Sequence, residues 1–314
     1  MKANSTLIQI PGPQNEVGHT INAITIHGTF FERWCQKAIQ DTPNWMVKTT
    51  NYPVEFPPPN GFIRGKESKL DIRAEYRKGG VILTLPIECK KNNPEFVNWV
   101  FFPHYKWGMV DSHPFVSLIT NVPRQPPAIG WDVTPSISEG FIINAKSVDE
   151  ARETKGNYLD YKANGRNKDQ LTRTSNAAIT DACLQVAIAT RAISIEDVSH
   201  SKALGSKNPP VSMPYTAQII LPVIVTTAKL LICEFDINDV KPDTGEIPFN
   251  KATITEYPHL LFEYALPRFL QSAPQDLTSV LEQGILERFM RMDILVINSM
   301  HFTETLNMLT SMIR

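Results

Sequence analysis

The chain has 314 residues, 42% of them hydrophobic and 20% charged, with a formal net charge of −1. This balance fits a soluble globular fold with a sizeable core and excludes a globally basic surface, so any nucleic-acid recognition has to come from a local patch. Cys35, Cys89, Cys183 and Cys233 stand far apart with no Cys-x-x-Cys pair, which excludes a zinc ribbon and a disulfide framework and fits a reducing cytoplasm. The first residues carry no long apolar stretch of the secretory kind, and the most apolar run, 218–233, is interrupted by Pro222 and Lys229 and is too short to span a bilayer.

Residues 1–19 read as an irregular lead-in. The pattern over 20–40 is helical, with Phe30, Phe31, Trp34, Ala38 and Ile39 near a 3.6-residue period and Thr20 or Thr29 as cap. Glu32 lies among these aromatics, either as an exposed helical carboxylate or as a site residue. Asp41-Thr42-Pro43 ends the helix. A first strand is expected over 45–56, where Pro53 suggests an edge or a bulge. A Pro-rich loop at 57–61 follows.

The stretch 64–91 predicts a β-hairpin turning at Gly79-Gly80. In that register Asp71 opposes Glu88. Asp71, Arg73 and Glu75 share one face with Thr84, Pro86, Glu88 and Lys90, and Ile72, Ala74 and Tyr76 share the other with Leu83, Leu85 and Ile87. The second face belongs on a core. The first brings two carboxylates together, and like charges directly opposed about 4.5–5.5 Å apart are destabilising. A divalent cation between them turns that repulsion into a ligand set, and Mg²⁺ is held by one or two carboxylates plus waters and substrate phosphates. A plain salt-bridge cluster on a solvated strand face is the alternative. Arg64, Lys66, Lys69, Arg73, Arg77, Lys78, Lys90 and Lys91 crowd the same hairpin, as a solvated polar face or as a phosphate-tracking surface.

The Asp71…Glu88-Cys89-Lys90 arrangement resembles the PD-(D/E)xK nuclease superfamily, whose fold is restriction-endonuclease-like. The proline that often precedes the Asp is replaced here by Leu70. The resemblance implies that Asp71 and Glu88 bind Mg²⁺, or Mn²⁺ in its place, with the backbone carbonyl of Cys89 as a further ligand and Glu32 of the first helix joining the site. It implies that Lys90 positions or activates the attacking water. It also implies DNA, duplex by preference, as substrate, a homodimer that cuts both strands, a possible regulatory partner protein, and a setting in restriction or anti-phage defence. A nuclease-like subunit that binds DNA without cutting is the second reading.

Beyond the hairpin, 95–145 is dense in aromatics: Phe96, Trp99, Phe101, Phe102, Tyr105, Trp107 and Phe115. They are read as the core of an inserted subdomain, as a dimer surface, or as a base-stacking platform. His104 and His113 lack metal-ligand spacing. The charged stretch 146–173 is expected to be a solvated helix and loop, with a flexible loop that touches DNA as the alternative. A helix over 175–194 starts at Ser175 and carries the stripe Ile179, Cys183, Val186 and Ile193, with alanines that allow close packing on a sheet; Gln185 on it is a candidate to approach the site. Runs 217–227 and 229–236 read as buried strands, 237–254 as turns, 259–266 as a strand, 277–290 as an amphipathic helix, 292–297 as a strand and 302–313 as a closing helix. The expected fold is α/β (α+β), a mixed central sheet flanked by helices in a single nuclease-like domain, with 93–175 inserted and 237–314 extending the sheet. Arg64, Lys66, Lys69, Arg73, Lys91 and Gln185 are the nucleic-acid-binding candidates.

Overall fold

The computed structural model describes residues 18, 21, 28–56, 66–78, 81–92, 97–103, 117–121, 145–154, 177–205, 216–270 and 291–313. The expected helix over 277–290, the loop at 57–61, Arg64, Gly79-Gly80 and the aromatics Phe96, Tyr105, Trp107 and Phe115 lie outside these residues, as do His104 and His113.

In chain order the elements are α1 (Thr29–Asp41), β1 (Trp45–Phe56), β2 (Lys66–Lys78), β3 (Val81–Lys90), β4 (Asn98–Pro103), β5 (Ser117–Asn121), β6 (Lys146–Thr154), α2 (Ala177–Gly205), β7 (Thr216–Ile220), β8 (Val223–Thr226), β9 (Lys229–Phe235), β10 (Ala252–Tyr257), β11 (His259–Ala265), β12 (Arg291–Asn298) and α3 (Phe302–Met312). The strands form one mixed sheet in the order β1-β2-β3-β8-β12-β11-β6-β4-β9-β10, with β7 against β3 and β5 against β7. The result is a mixed α/β fold with a large sheet and few helices. No described helix is long and apolar enough to cross a membrane.

Two cores lie against the sheet. One joins Cys35, Ala38 and Ile39 of α1 and Phe302, Leu306 and Leu309 of α3 to Ile72, Ala74, Leu83, Leu85 and Ile87. This is the apolar hairpin face expected from the alternation. The other joins Ile179, Ala182, Cys183, Val186, Ala187, Ala189 and Ile193 of α2 to Trp99, Phe101, Val148, Ile224, Phe262 and Val296. The alanines let α2 lie close on the strands. Trp99 and Phe101 are fully buried here, with the Phe101 ring edge-on to Phe262 at 5.7 Å. These two are therefore core residues of the main sheet and cannot serve as a base-stacking platform.

Three expectations are corrected. The charged stretch that begins at Lys146 does not start as a helix; its first nine residues are β6, parallel to β11 and antiparallel to β4. Lys146, Asp149 and Glu150 are exposed while Val148 and Ala151 are buried, so pairing on both edges overrides a weak strand propensity. The turn region 237–254 holds two short 3-10 turns, Ile237–Asp239 and Phe249–Lys251, and then leads into β10, whose residues 253–256 are exposed. The run 217–227 is two strands, broken at Leu221-Pro222. Pro222 lends its carbonyl to the Leu295 N–H, and Leu221 donates to the Thr84 carbonyl. β7 thereby pairs with the first half of β3, and β8 lies between the second half of β3 and β12.

Candidate active site

The β2–β3 hairpin has the register read from the sequence: Ile72 opposes Ile87, Arg73 opposes Pro86, and so on to Lys78 and Val81. The ladder stops at Ile72 and Ile87. Past that point β3 pairs in parallel with β8, from Ile87 and Val223 to Lys90 and Thr226, while β2 stays with β1 as far as Lys66. The two strands part where Asp71 and Glu88 would have been the next pair. In the gap, Asp71 Oδ2 accepts the Cys89 backbone N–H at 2.8 Å. A carboxylate thus takes the place of a ladder carbonyl.

That bond orients Cys89. In a strand the N–H and C=O of one residue point to the same edge. The Lys90 carbonyl accepts from Thr227 on the β8 side, so the Cys89 carbonyl faces the gap beside Asp71. The Cys89 side chain goes the other way, to the α1 side, where it meets Cys35; that contact and burial push the thiol well above its ordinary range and keep it protonated.

Glu88 is 3% exposed, so it is not part of a solvated surface cluster. Its parallel neighbour is Ile224, a member of the α2-side core. One oxygen meets Lys90 Nζ at 2.9 Å, and the other, Oε2, is buried without a hydrogen-bond partner among the described residues. Burial raises the Glu88 carboxyl to about 8; the Asp71 and Glu32 charges add to the rise and Lys90 opposes it. Asp71 rises to about 6, again through burial first, with the Cys89 N–H, Lys90 and Lys69 pulling it down and Glu32 pushing it up.

Lys90 has a second partner. Its ammonium donates to Gln185 Oε1 of α2 at 2.8 Å, so Gln185 does reach the site. The helix is held in turn by Glu153 of β6, 4% exposed, which accepts the Ile179 N–H in its first turn at 3.1 Å. Glu32 sits in the first turn of α1. Gly28 precedes that turn at φ 80, and a Cβ on it would be 3.8 Å from Lys91 Cβ, so the helix start lies against the end of β3. The Glu32 charge acts on both Asp71 and Glu88. It does not close a cluster with them: among the described residues, no three His, Cys, Asp or Glu side chains are grouped as metal ligands.

The basic candidates divide. Lys69 is exposed and its charge acts on Asp71, and Lys91 lies at the α1 start. Lys66 begins β2. Arg73 has an acidic partner: its side chain is 14% exposed and lies 3.5 Å from Glu75, a buried carboxylate that Arg77 also approaches at 2.9 Å and Lys48 at 3.8 Å. Lys78 donates to the Ile313 carbonyl at the end of α3. These groups tie the fold together at the turn end of the hairpin.

Sequence reasoning missed Glu75 and Glu153 as buried carboxylates with structural partners, and it missed Asn51. Asn51 has φ 53 inside β1. Asn is depleted in strands and tolerates the left-handed region, which was the one available signal. No family model matches this sequence, and neither the curated proteins nor the solved structures give a match.

Proposed function

We propose that this chain is a divalent-metal-dependent endonuclease that hydrolyses phosphodiester bonds of DNA, duplex by preference. The observation that carries the reading is the orphaned Glu88 Oε2, buried beside Asp71. A buried carboxylate with one oxygen paired to Lys90 and the other left without a partner among the described residues is costly, and here a second carboxylate raises that cost. Lys90 supplies only one positive charge to the pair. The donor set fits Mg²⁺ or Mn²⁺: two carboxylates from parted strands and the Cys89 carbonyl, all hard oxygens. Such a cation would lower the pKa of a bound water and offset charge building on the phosphate.

The chain's own groups divide the remaining work. Asp71 and Glu88 would hold the cation, and Asp71 is itself held by the Cys89 N–H. The Lys90 ammonium is fixed by Glu88 and Gln185 and keeps a donor for the attacking water or a phosphate oxygen. Glu32 adds negative field at the same place and strengthens cation retention. Lys69 and Lys91 would contact phosphates, giving affinity that falls with salt and carries no sequence information. A homodimer would bring two such sites to the two strands of a duplex.

The test is cleavage of supercoiled plasmid, linear duplex, single-stranded DNA and RNA in Mg²⁺ and in EDTA. Wild type should nick and linearise plasmid only with metal, and Asp71→Asn, Glu88→Gln and Lys90→Ala should each abolish this. DNA retention without cleavage by the wild type would assign a binding subunit instead. Neither binding nor cleavage would remove nucleic acid from the account.

A further inference from the structure

The geometry points to Asn51 as the residue that positions Asp71. Asn51 is inside β1, yet its φ of 53 is left-handed. The pairs on either side are Thr50 with Ile72 and Tyr52 with Leu70, so Asn51 stands across from Asp71. Left-handed residues within an element are costly for side chains with a Cβ, and Asn bears that cost best after glycine.

The ribbon changes face at this pair. Toward the hairpin turn, Val47, Ala74 and Ile72 pack into the core under α1 and α3. Toward the other end, Tyr52, Val54 and Leu70 pack into the core under α2. Residues two apart share a face in a regular strand, and Leu70 and Ile72 do not. The bulge at Lys48 is not the cause, because Ile72, beyond it in the register, still packs on the same side as Ala74. The reversal falls between Thr50 and Tyr52, where the left-handed residue is.

The consequence is local. Asp71 sits at the turn-over point, so its carboxylate lies in the gap between strands and takes the Cys89 N–H. In a flat ribbon it would stand off the sheet, out of reach of the Cys89 N–H. The Asn51 side chain is exposed, so its backbone conformation carries the effect. This inference rests on Asp71 being a working carboxylate of the proposed site.

Asn51→Gly, Asn51→Ala and Asn51→Val separate backbone conformation from side-chain contact. Glycine adopts the left-handed region freely, alanine less so and β-branched valine hardly at all. The readout is the Cys89 amide in a ¹⁵N-edited NMR titration, where the proton shift follows ionisation of Asp71, together with single-turnover plasmid cleavage at saturating DNA. Asn51→Gly should keep the titrating Cys89 amide and the wild-type rate. Asn51→Val should lose the titration and slow cleavage about 100-fold with DNA affinity unchanged, as a carboxylate displaced by about 1 Å does. Asn51→Ala should fall between and serves if the valine variant does not fold. A wild-type amide titration in both Ala and Val variants overturns the proposal, as does equal damage by Gly and Val. If the amide follows the expected order while wild type cuts nothing, the positioning role stands and the nuclease reading fails.

Discussion

Glu88→Gln probes the feature on which the site depends, a carboxylate buried without enough positive charge. The folded protein holds Glu88 near 8, against 4.5 for the free side chain. The unfolded chain therefore ionises first as pH rises, and the folded state holds the extra proton. Stability from this group is fully present below about pH 4.5 and is lost as pH rises to about 8. At about 1.4 kcal/mol per pH unit, the ceiling on that loss is about 5 kcal/mol. Relaxation and water entry lower it, and a loss of about 2–5 kcal/mol is expected. Gln keeps the shape and an oxygen for Lys90 while removing the charge. Guanidinium unfolding of both proteins across pH 4.5–8, without metal, gives the two curves. The variant should match the wild type near the acid end and exceed it by a few kcal/mol at pH 8. Added Mg²⁺ should stabilise wild type at pH 8 and leave the variant unmoved, because a ligand for the folded state adds stability only where it binds. A wild-type curve that stays level from pH 5 to 8, or superimposes on that of Glu88→Gln, would refute the reasoning.

Gln185→Leu removes the neutral partner of Lys90, leaving the ammonium with Glu88 as its partner among the described residues. A hydrogen bond to a charged group is worth about 1.5–3 kcal/mol, and loss of a supporting contact of this type costs about 10–100-fold in activity or metal affinity; denaturation and single-turnover rates check both. Glu153→Ala strips the acceptor from the Ile179 N–H at the start of α2. It should cost about 1 kcal/mol or more and raise hydrogen exchange in the first turn of that helix while the hairpin stays protected. Lys69→Ala removes a charge that pulls Asp71 down, so the acid limb of the cleavage profile should move to higher pH. The difference should shrink in high salt, since Lys69 is exposed.

The hairpin was legible because two local signals agree. Gly79-Gly80 sets the centre, and the alternation from Ile72 to Ile87 allows one register only. That put Asp71, Glu88 and Lys90 together in the sequence. Their final geometry was not legible, because it depends on β8 drawing the second half of β3 away from β2, a competition between segments more than 100 residues apart. Asp71 and Glu88 meet across a gap instead of a ladder for that reason. β6 was hidden for a related one: its charges sit on exposed positions, and only neighbours on both edges make it a strand. Arg73 reads as a surface cation in a Lys- and Arg-rich run, and only the burial of Glu75 shows that it faces inward. Gln185 is an ordinary polar residue on an alanine-rich helix until the helix is laid over β3.

Calorimetric titration of Mg²⁺ at pH 7, in two buffers of different ionisation enthalpy, reads the central claim without relying on turnover. With Glu88 near 8, binding should displace its proton, so the heats should differ by about one proton per metal ion, and Asp71→Asn and Glu88→Gln should show no binding. Buffer-independent heats, or binding unchanged in both variants, would contradict the assignment of Asp71 and Glu88 as the metal-holding pair.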